Sequence, residues 1–368
     1  MNKSMLIILF VFLIYACKDK SRPQEPFPPY NYLVEEVRFE NLAYKSSLAG
    51  TLTIPQGEKN FPTVILISGS GLQDRDETVY GHKPFKVLAH NLTSNGIAVL
   101  RYDERSVGES KGSLNNVTTE IFASDAYAGI KFLQNRKGID PYKIGIIGHS
   151  EGGLVGSLLA SKYSDISFLV LLAAPGVPIC ELLIEAHENK LRKEGKSEAI
   201  VQSGNELLAR LFEQIKKGEG YTKTKNALVK IVNEWRSELA GEAKLDFENF
   251  IDENPQWIKY IIDEWATKWS EYISNLDPRT IIENISCPVL ALNGKKDIQV
   301  LAESNLSAIE NSLARGGNTN YEVHYLENLN HLFQNCETGF RDEYAKIEET
   351  FSPEAIALIS DWIQDNIK

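Results

Sequence analysis

Lys143-Ile-Gly-Ile-Ile147 runs without a break into Gly148-His-Ser-Glu-Gly152, and how this junction is read decides the fold. The first segment is a short, largely β-branched apolar run of the kind found in strands buried on both faces. The second is a G-x-S-x-G pattern that opens a helix. A serine in such a sharp turn takes a strained backbone conformation, so its flanking positions must be glycine to avoid neighbouring chain. The turn lifts the Ser150 hydroxyl out of the sheet and aims the helix N-terminus at it. The amide of Glu151 then points where negative charge would develop on an attacked carbonyl. A bare G-x-S-x-G is common by chance; at a strand-to-helix turn it marks Ser150 as a nucleophile.

Working outward, strands and helices alternate. Thr63-Val-Ile-Leu-Ile67 is another strand buried on both faces, and it ends in the loop Ser68-Gly-Ser-Gly71. Phe85, Leu88, Ala89 and Leu92 fall at helical spacing before Asn95-Gly96, and Ile97-Ala-Val-Leu100 is the next strand. Residues 118–137 read as a helix, residues 166–173, 288–292 and 321–326 as further strands, and residues 353–367 as a closing helix. Residues 34–40 and 48–54 read as an antiparallel pair at a sheet edge. Such alternation predicts a mostly parallel central sheet flanked by helices.

Between residues 177 and 285 the strands stop and four amphipathic helices can be traced. In the last, Asn254 is placed to cap, Pro255 to occupy the first turn, and Ile258, Ile261, Ile262, Trp265, Trp269 and Tyr272 repeat at helical spacing. This all-helical insertion, set before the strand expected to carry the acid, reads as a lid. The domain plan is therefore a core over 31–176 and 286–368 with the lid over 177–285. Four of the five Trp residues lie in the insertion: Trp235, Trp257, Trp265 and Trp269. Core packing is the ordinary use of any one of them. Trp265 and Trp269, with Gly71, are the candidates for a substrate pocket.

A serine hydroxyl is a poor nucleophile until a base takes its proton, so a histidine is required late in the chain. His331, in Asn328-Leu-Asn-His-Leu-Phe333 after the last predicted strand, has that position. His324 lies within the strand, His149 adjoins the nucleophile and is expected to point away from it, and His82, His90 and His187 come too early in the chain. Asp297, in the loop after Val289-Leu-Ala-Leu-Asn-Gly294, is placed to orient the imidazole and stabilise its charged form. The second oxyanion donor is expected in Ser68-Gly-Ser-Gly71, at the Ser70 amide before that of Gly71. The charged runs Asp74-Arg-Asp-Glu77 and Arg101-Tyr-Asp-Glu-Arg105 are read as salt bridges fixing loops.

The 368 residues are 43% hydrophobic and 24% charged, an ordinary globular composition, and the formal charge of −11 argues against a nucleic-acid partner. The chain starts with a charged segment, an apolar run over residues 5–16 and then Cys17. The run is short for a membrane span and fits an export signal over residues 1–17. Ile14-Tyr-Ala-Cys17 resembles the bacterial lipobox, Tyr15 being an imperfect match. That resemblance implies an exported protein, periplasmic or at the cell surface, attached to a membrane only through lipid on Cys17, with residues 18–30 as a Pro-rich tether. Cys180, Cys287 and Cys336 form neither a zinc pattern nor a complete disulfide framework, and no cofactor or metal site is readable.

Leu48-Ala-Gly-Thr-Leu52, Ser68-Gly-Ser-Gly71 with Arg75-Asp-Glu77, Gly81-His-Lys-Pro-Phe85, Arg101-Tyr-Asp103, Gly148-His-Ser-Glu-Gly-Gly153, Pro288-Val-Leu-Ala-Leu-Asn-Gly294 and Leu329-Asn-His-Leu-Phe-Gln334 together resemble the bacterial α/β-hydrolase carboxylesterases. These are often grouped as prolyl-oligopeptidase-like or serine aminopeptidase-like. The resemblance covers nearly everything after the tether. It implies the α/β-hydrolase fold, a Ser150, Asp297, His331 triad, and metal-free hydrolysis of small esters with short to medium acyl chains. One departure is Arg105-Ser106, where the family usually has Arg-Gly, which predicts a differently shaped loop. Two other readings compete. A peptidase with the same triad would need a lid carboxylate such as Glu181, Glu185 or Glu264 to pair with a substrate ammonium, and a silent binding lipoprotein would keep only the fold.

Overall fold

The computed structural model describes residues 22–57 and 59–367. The export segment and Cys17 lie outside the described residues. Among those described, no helix is long and apolar enough to cross a membrane.

In chain order the elements begin with β1 (Tyr32–Asn41), β2 (Ser46–Pro55) and β3 (Phe61–Ile67). They continue with α1 (Pro84–Ser94), β4 (Ala98–Tyr102), α2 (Thr119–Gln134), β5 (Ile139–His149), α3 (Glu151–Lys162) and β6 (Leu169–Leu172). Helices α4 (Ile179–Lys193), α5 (Glu198–Ile215), α6 (Tyr221–Glu238), α7 (Gly241–Glu253), α8 (Trp257–Trp265) and α9 (Lys268–Asn275) follow. The chain then returns through α10 (Pro278–Ile282), β7 (Val289–Gly294), α11 (Ala302–Arg315), β8 (Tyr321–Leu326), α12 (Arg341–Tyr344) and α13 (Pro353–Asn366).

The strands form one eight-stranded sheet in the order β1-β2-β4-β3-β5-β6-β7-β8. Only β2 runs against its neighbours, pairing antiparallel with β1 and β4, so the expected edge hairpin sits beside a parallel sheet. Alternation along each strand separates two apolar layers. Ile65 and Ile67 of β3 face α2, α3, α10 and α11 through Ile130, Leu159, Ile282 and Ile309, while Val64 and Leu66 face α1 and α13 through Leu88 and Ile359. Each such side chain, fully removed from water, contributes about 1.5–3 kcal/mol.

Residues 177–277, with residues 116–118, cluster as one compact unit, and the sheet with its flanking helices as another. The first unit holds six helices where the sequence suggested four. The last predicted helix is broken into α8 and α9: Thr267 leaves the helical conformation and its hydroxyl accepts from the Ser270 amide, capping α9. Asn254 ends α7 instead of starting α8, and its side-chain amide donates to the Phe250 carbonyl. Pro278–Ile282, expected inside the insertion, packs on α3 and α11 with the sheet unit.

The segment expected to be a free tether is tied down from Arg22 onward. The Arg22 guanidinium donates to the carbonyls of Tyr80, Ala345 and Ile347, and Gln24 bonds the backbone of Thr350 and Phe351. Glu25 pairs with Lys83 and Lys86. Ser106 takes φ 64°, the conformation a glycine would supply, and its hydroxyl donates to the Gly112 carbonyl.

Candidate active site

At the end of β5 the chain turns through Ser150, which has φ 52° and ψ −121°. This is a strained conformation for a residue with a side chain, typically worth about 1–3 kcal/mol, and here the surroundings over-determine it. The Ser150 amide donates to the Leu172 carbonyl at 2.8 Å, and its own carbonyl accepts from the Gly153 amide at 2.9 Å. Both flanking glycines are sterically required: a Cβ on Gly148 would run into the backbone of Gly152, and one on Gly152 into the carbonyls of Ile67 and Ser68. The loop after β3 lies directly over the turn, since a Cβ on Gly69 would sit 3.1 Å from that of Ser150. Ser70 is buried in that loop and Gly71 follows it, exposed, at φ 107°. Glu151, at the first position of α3, turns its carboxylate away to accept from the Thr119 hydroxyl at 2.7 Å. Its backbone amide, with that of Ser70, belongs to the segments bordering the serine.

Beyond β7, Asp297 is nearly inaccessible. One of its oxygens accepts from the amides of Gln299 and Val300 at 2.7 and 3.0 Å, and the other faces His331 Nδ1 at 2.7 Å. The two loops meet because a Gly294 Cβ would collide with the Leu329 carbonyl and because the Lys296 amide donates to that same carbonyl. Asn330 shapes the histidine loop: its side-chain oxygen accepts from the amides of Leu332 and Gln334. Phe333 anchors the loop by stacking on Phe351 at 5.3 Å.

Burial lowers the His331 imidazole below the ordinary histidine value, against the opposing pull of the Asp297 carboxylate, and neighbouring His149 lowers it further. With Nδ1 committed to Asp297, Nε2 is left as the basic nitrogen. Neither it nor Ser150 Oγ makes a hydrogen bond among the described residues. An oriented neutral imidazole and a strained serine beside backbone amides can carry out nucleophilic acyl transfer.

The sheet unit thus brings together Ser150, Asp297, His331, Ser70, Gly71 and Glu151. Trp265 and Trp269 belong to the helical unit. Trp265 is buried there, edge-on to Phe212 at 5.0 Å, in the position of a core residue, not one lining an open pocket. Trp269 is half-buried, 6.0 Å from Trp265. Of the loop charges, Arg75 pairs with Asp103 and Glu36, and Arg101 with Asp76, as loop-fixing bridges. Glu104 accepts from the Ser68 hydroxyl at 2.7 Å, and burial raises its carboxyl well above the ordinary range.

Sequence reasoning missed Glu77 and His149. The loop-fixing partner of Glu77 is a histidine, which the salt-bridge reading did not name: Glu77 Oε1 accepts from the Gly69 amide at 2.7 Å and faces His149 Nδ1 at 2.8 Å. His149 Nε2 lies 2.9 Å from the His331 carbonyl oxygen. The Arg75-Asp-Glu77 run had carried a signal only as part of a family pattern. The remaining histidines hold other places: His82 bonds Thr350 and the Tyr344 carbonyl, His90 meets Tyr32, His187 meets Asn205, and His324 meets Glu322. Among the described residues Cys180, Cys287 and Cys336 form no disulfide with one another, and burial pushes the Cys287 thiol up to about 12.

Comparison with known proteins places this geometry in context. The profile of the family described as serine aminopeptidase, S33, matches residues 82–335. Esterase EstD of Thermotoga maritima is 26% identical over 287 residues, which cover 78% of this chain and 58% of EstD. Thiohydrolase aneE of Aspergillus aculeatus is 26% identical over 226 residues, 56% of this chain and 66% of that protein. The chain therefore spans less than two thirds of the length of each of these relatives. The solved structure of the Pyrococcus furiosus esterase Pf2001 superposes with a TM-score of 0.56 at 16% identity, covering 96% of this chain and 99% of that one, a likeness of fold.

Proposed function

We propose, from the premise that the chain belongs to the serine aminopeptidase S33 family of α/β hydrolases, that it is a serine carboxylesterase acting on esters with short to medium acyl chains. The observation that carries this reading is the 2.7 Å contact of His331 Nδ1 with Asp297, which leaves Nε2 as base in the sheet unit that also holds the strained Ser150. Ser150 attacks the ester carbonyl while His331 takes its proton. The amides of Glu151 and Ser70 hold the oxyanion. His331 then protonates the departing alcohol, and water activated by the same imidazole releases the acid. The esterase names of EstD and Pf2001 support the substrate class.

The test is covalent labelling by a fluorophosphonate together with hydrolysis of activated esters of graded acyl length. Wild type is expected to label and turn over, and Ser150→Ala to do neither while remaining folded. A Ser150→Ala protein hydrolysing at the wild-type rate would sink the assignment. The lid role of the helical unit is part of the same proposal: Trp269→Ala is expected to change the acyl-length preference, and an unchanged preference removes Trp269 from the pocket.

The family's peptidase label favours one rival reading. A peptidase would need a lid carboxylate such as Glu181, Glu185 or Glu264 for the substrate ammonium, and burial raises the Glu264 carboxyl above its ordinary value. Matched ester and peptide anilide substrates separate the two activities. Export and lipid attachment at Cys17 rest on the sequence of residues 1–17. Mass analysis of the mature N-terminus tests them, an unmodified Cys17 being the contrary result.

A further inference from the structure

The proposed mechanism makes no use of Glu77 and His149, which lie buried beside the catalytic residues. Glu77 is held at φ 53°, a conformation a side-chain-bearing residue keeps only where its surroundings impose it. Its Oε1 accepts from the Gly69 amide, at the base of the oxyanion loop, and meets His149 Nδ1. The other ring nitrogen of His149 points at the carbonyl oxygen of His331. A carbonyl can only accept, so Nε2 carries a proton. An ionised Glu77 can also only accept, so Nδ1 then carries one as well. Both contacts are satisfied together by an imidazolium against a carboxylate.

We propose that Glu77 and His149 form a standing carboxylate–imidazolium pair that positions the oxyanion, nucleophile and base loops and keeps His331 unprotonated, as base, into mildly acidic solution. This rests on the serine-hydrolase reading of the site. The pair touches the three loops at single, named points: the Gly69 amide, the His149 backbone next to Ser150, and the His331 carbonyl. The His149 and His331 rings are 4.8 Å apart. A cation at that range disfavours a second proton on His331.

The other groups facing this cluster are few. Asp297 and Arg341 act on His331, favouring and disfavouring its proton respectively. Glu104 lies near both Glu77 and Glu151, and burial raises its carboxyl well above the ordinary range. The Phe333 ring lies 6.4 Å from His149. For His149 itself, burial alone would lower the imidazole, but the Glu77 carboxylate reverses this and raises it above the ordinary histidine value.

Two measurements on the full chain test the proposal. Nitrogen-15 NMR of labelled wild type is expected to show both His149 ring nitrogens protonated at pH 7; a neutral His149 tautomer overturns it. The pH dependence of kcat/KM for an activated ester is expected to move its acid limb upward in His149→Gln by about one pH unit, the size of shift set by one neighbouring charge. In Glu77→Gln the buried His149 gives up its second proton, so the limb moves in the same direction but less, because no unpaired carboxylate is left behind. Each substitution is also expected to lower the plateau by about tenfold, or 1.4 kcal/mol, as the Gly69 and His331 loops lose their shared anchor. A role confined to packing would lower the plateau and leave the limb in place, and that outcome overturns the proposal. The wild-type spectrum needs no variant, so loss of folding in either substitution leaves the test intact. If wild type neither labels nor turns over, the esterase reading fails while the spectrum still decides the charge state of the pair.

Discussion

Gly152 fixes how tightly the nucleophile turn is wound against β3. Its missing side chain leaves room for the carbonyls of Ile67 and Ser68, and these neighbours are backbone of a central strand that cannot move aside. Gly152→Ala is expected to lose about 1–3 kcal/mol of stability, the usual range for overpacking, together with most activity. Denaturant unfolding and ester turnover measure both. A second prediction concerns His82, which burial lowers to about 4. The unfolded chain takes up its proton near pH 6.5, before the folded one does. Stability from a neutral buried His82 is therefore fully present above about pH 6.5 and is lost as pH falls toward 4. Melting temperature against pH is expected to fall more steeply through that window in wild type than in His82→Gln; parallel curves would contradict this. At the proposed base, burial lowers His331, so the acid limb of kcat/KM is expected below the ordinary histidine value of about 6.5.

Among the elements, α2 carries a charge into the apolar layer. Asp125 pairs with Arg105 at 2.7 Å and accepts from Asn41 and Ser46, which joins the loop after β4 to β1 and β2. Both ion-pair side chains are almost fully buried, at 3% and 2% exposure, so removing one partner strands the other away from water. Asp125→Asn is expected to destabilise by about 3–5 kcal/mol, read by denaturant titration; a loss under about 1 kcal/mol would mean that water reaches the arginine. The elements themselves were legible. All eight strands follow from short β-branched runs or from alternation, because a buried parallel sheet writes its requirement into every residue. Helix ends in the insertion were less so. Asn254 and Pro255 carry the composition of a helix start, yet Asn254 serves the end of α7 and the longer pattern breaks at Thr267. A polar cap residue fits either end, and only packing selects between them.

For the molecule as a whole, the N-terminal segment is a brace across the sheet unit. Residues 22–25 join the loop at Tyr80 to the stretch from Ala345 to Phe351 and to α1 through Lys83 and Lys86. Removing residues through Glu25 is expected to lower stability by about 1–3 kcal/mol relative to a chain starting after Cys17, since several hydrogen bonds worth about 1 kcal/mol each are lost. Identical unfolding curves would mean that the segment is a free tether. If lipid on Cys17 is borne out, the brace leaves only residues 18–21 between anchor and folded unit.

The sequence by itself determined the sheet, its flanking helices, and the order in which serine, aspartate and histidine enter it, because each depends on local periodicity or on one residue at a strand end. Tertiary structure decided what those residues lean on. Nothing near Glu77 in the chain announces His149, and nothing near His149 announces the His331 carbonyl that its other ring nitrogen meets. Such partners are chosen by distance in space, and a charge recruited to a site across the chain carries the same local signature as one solvated on a loop.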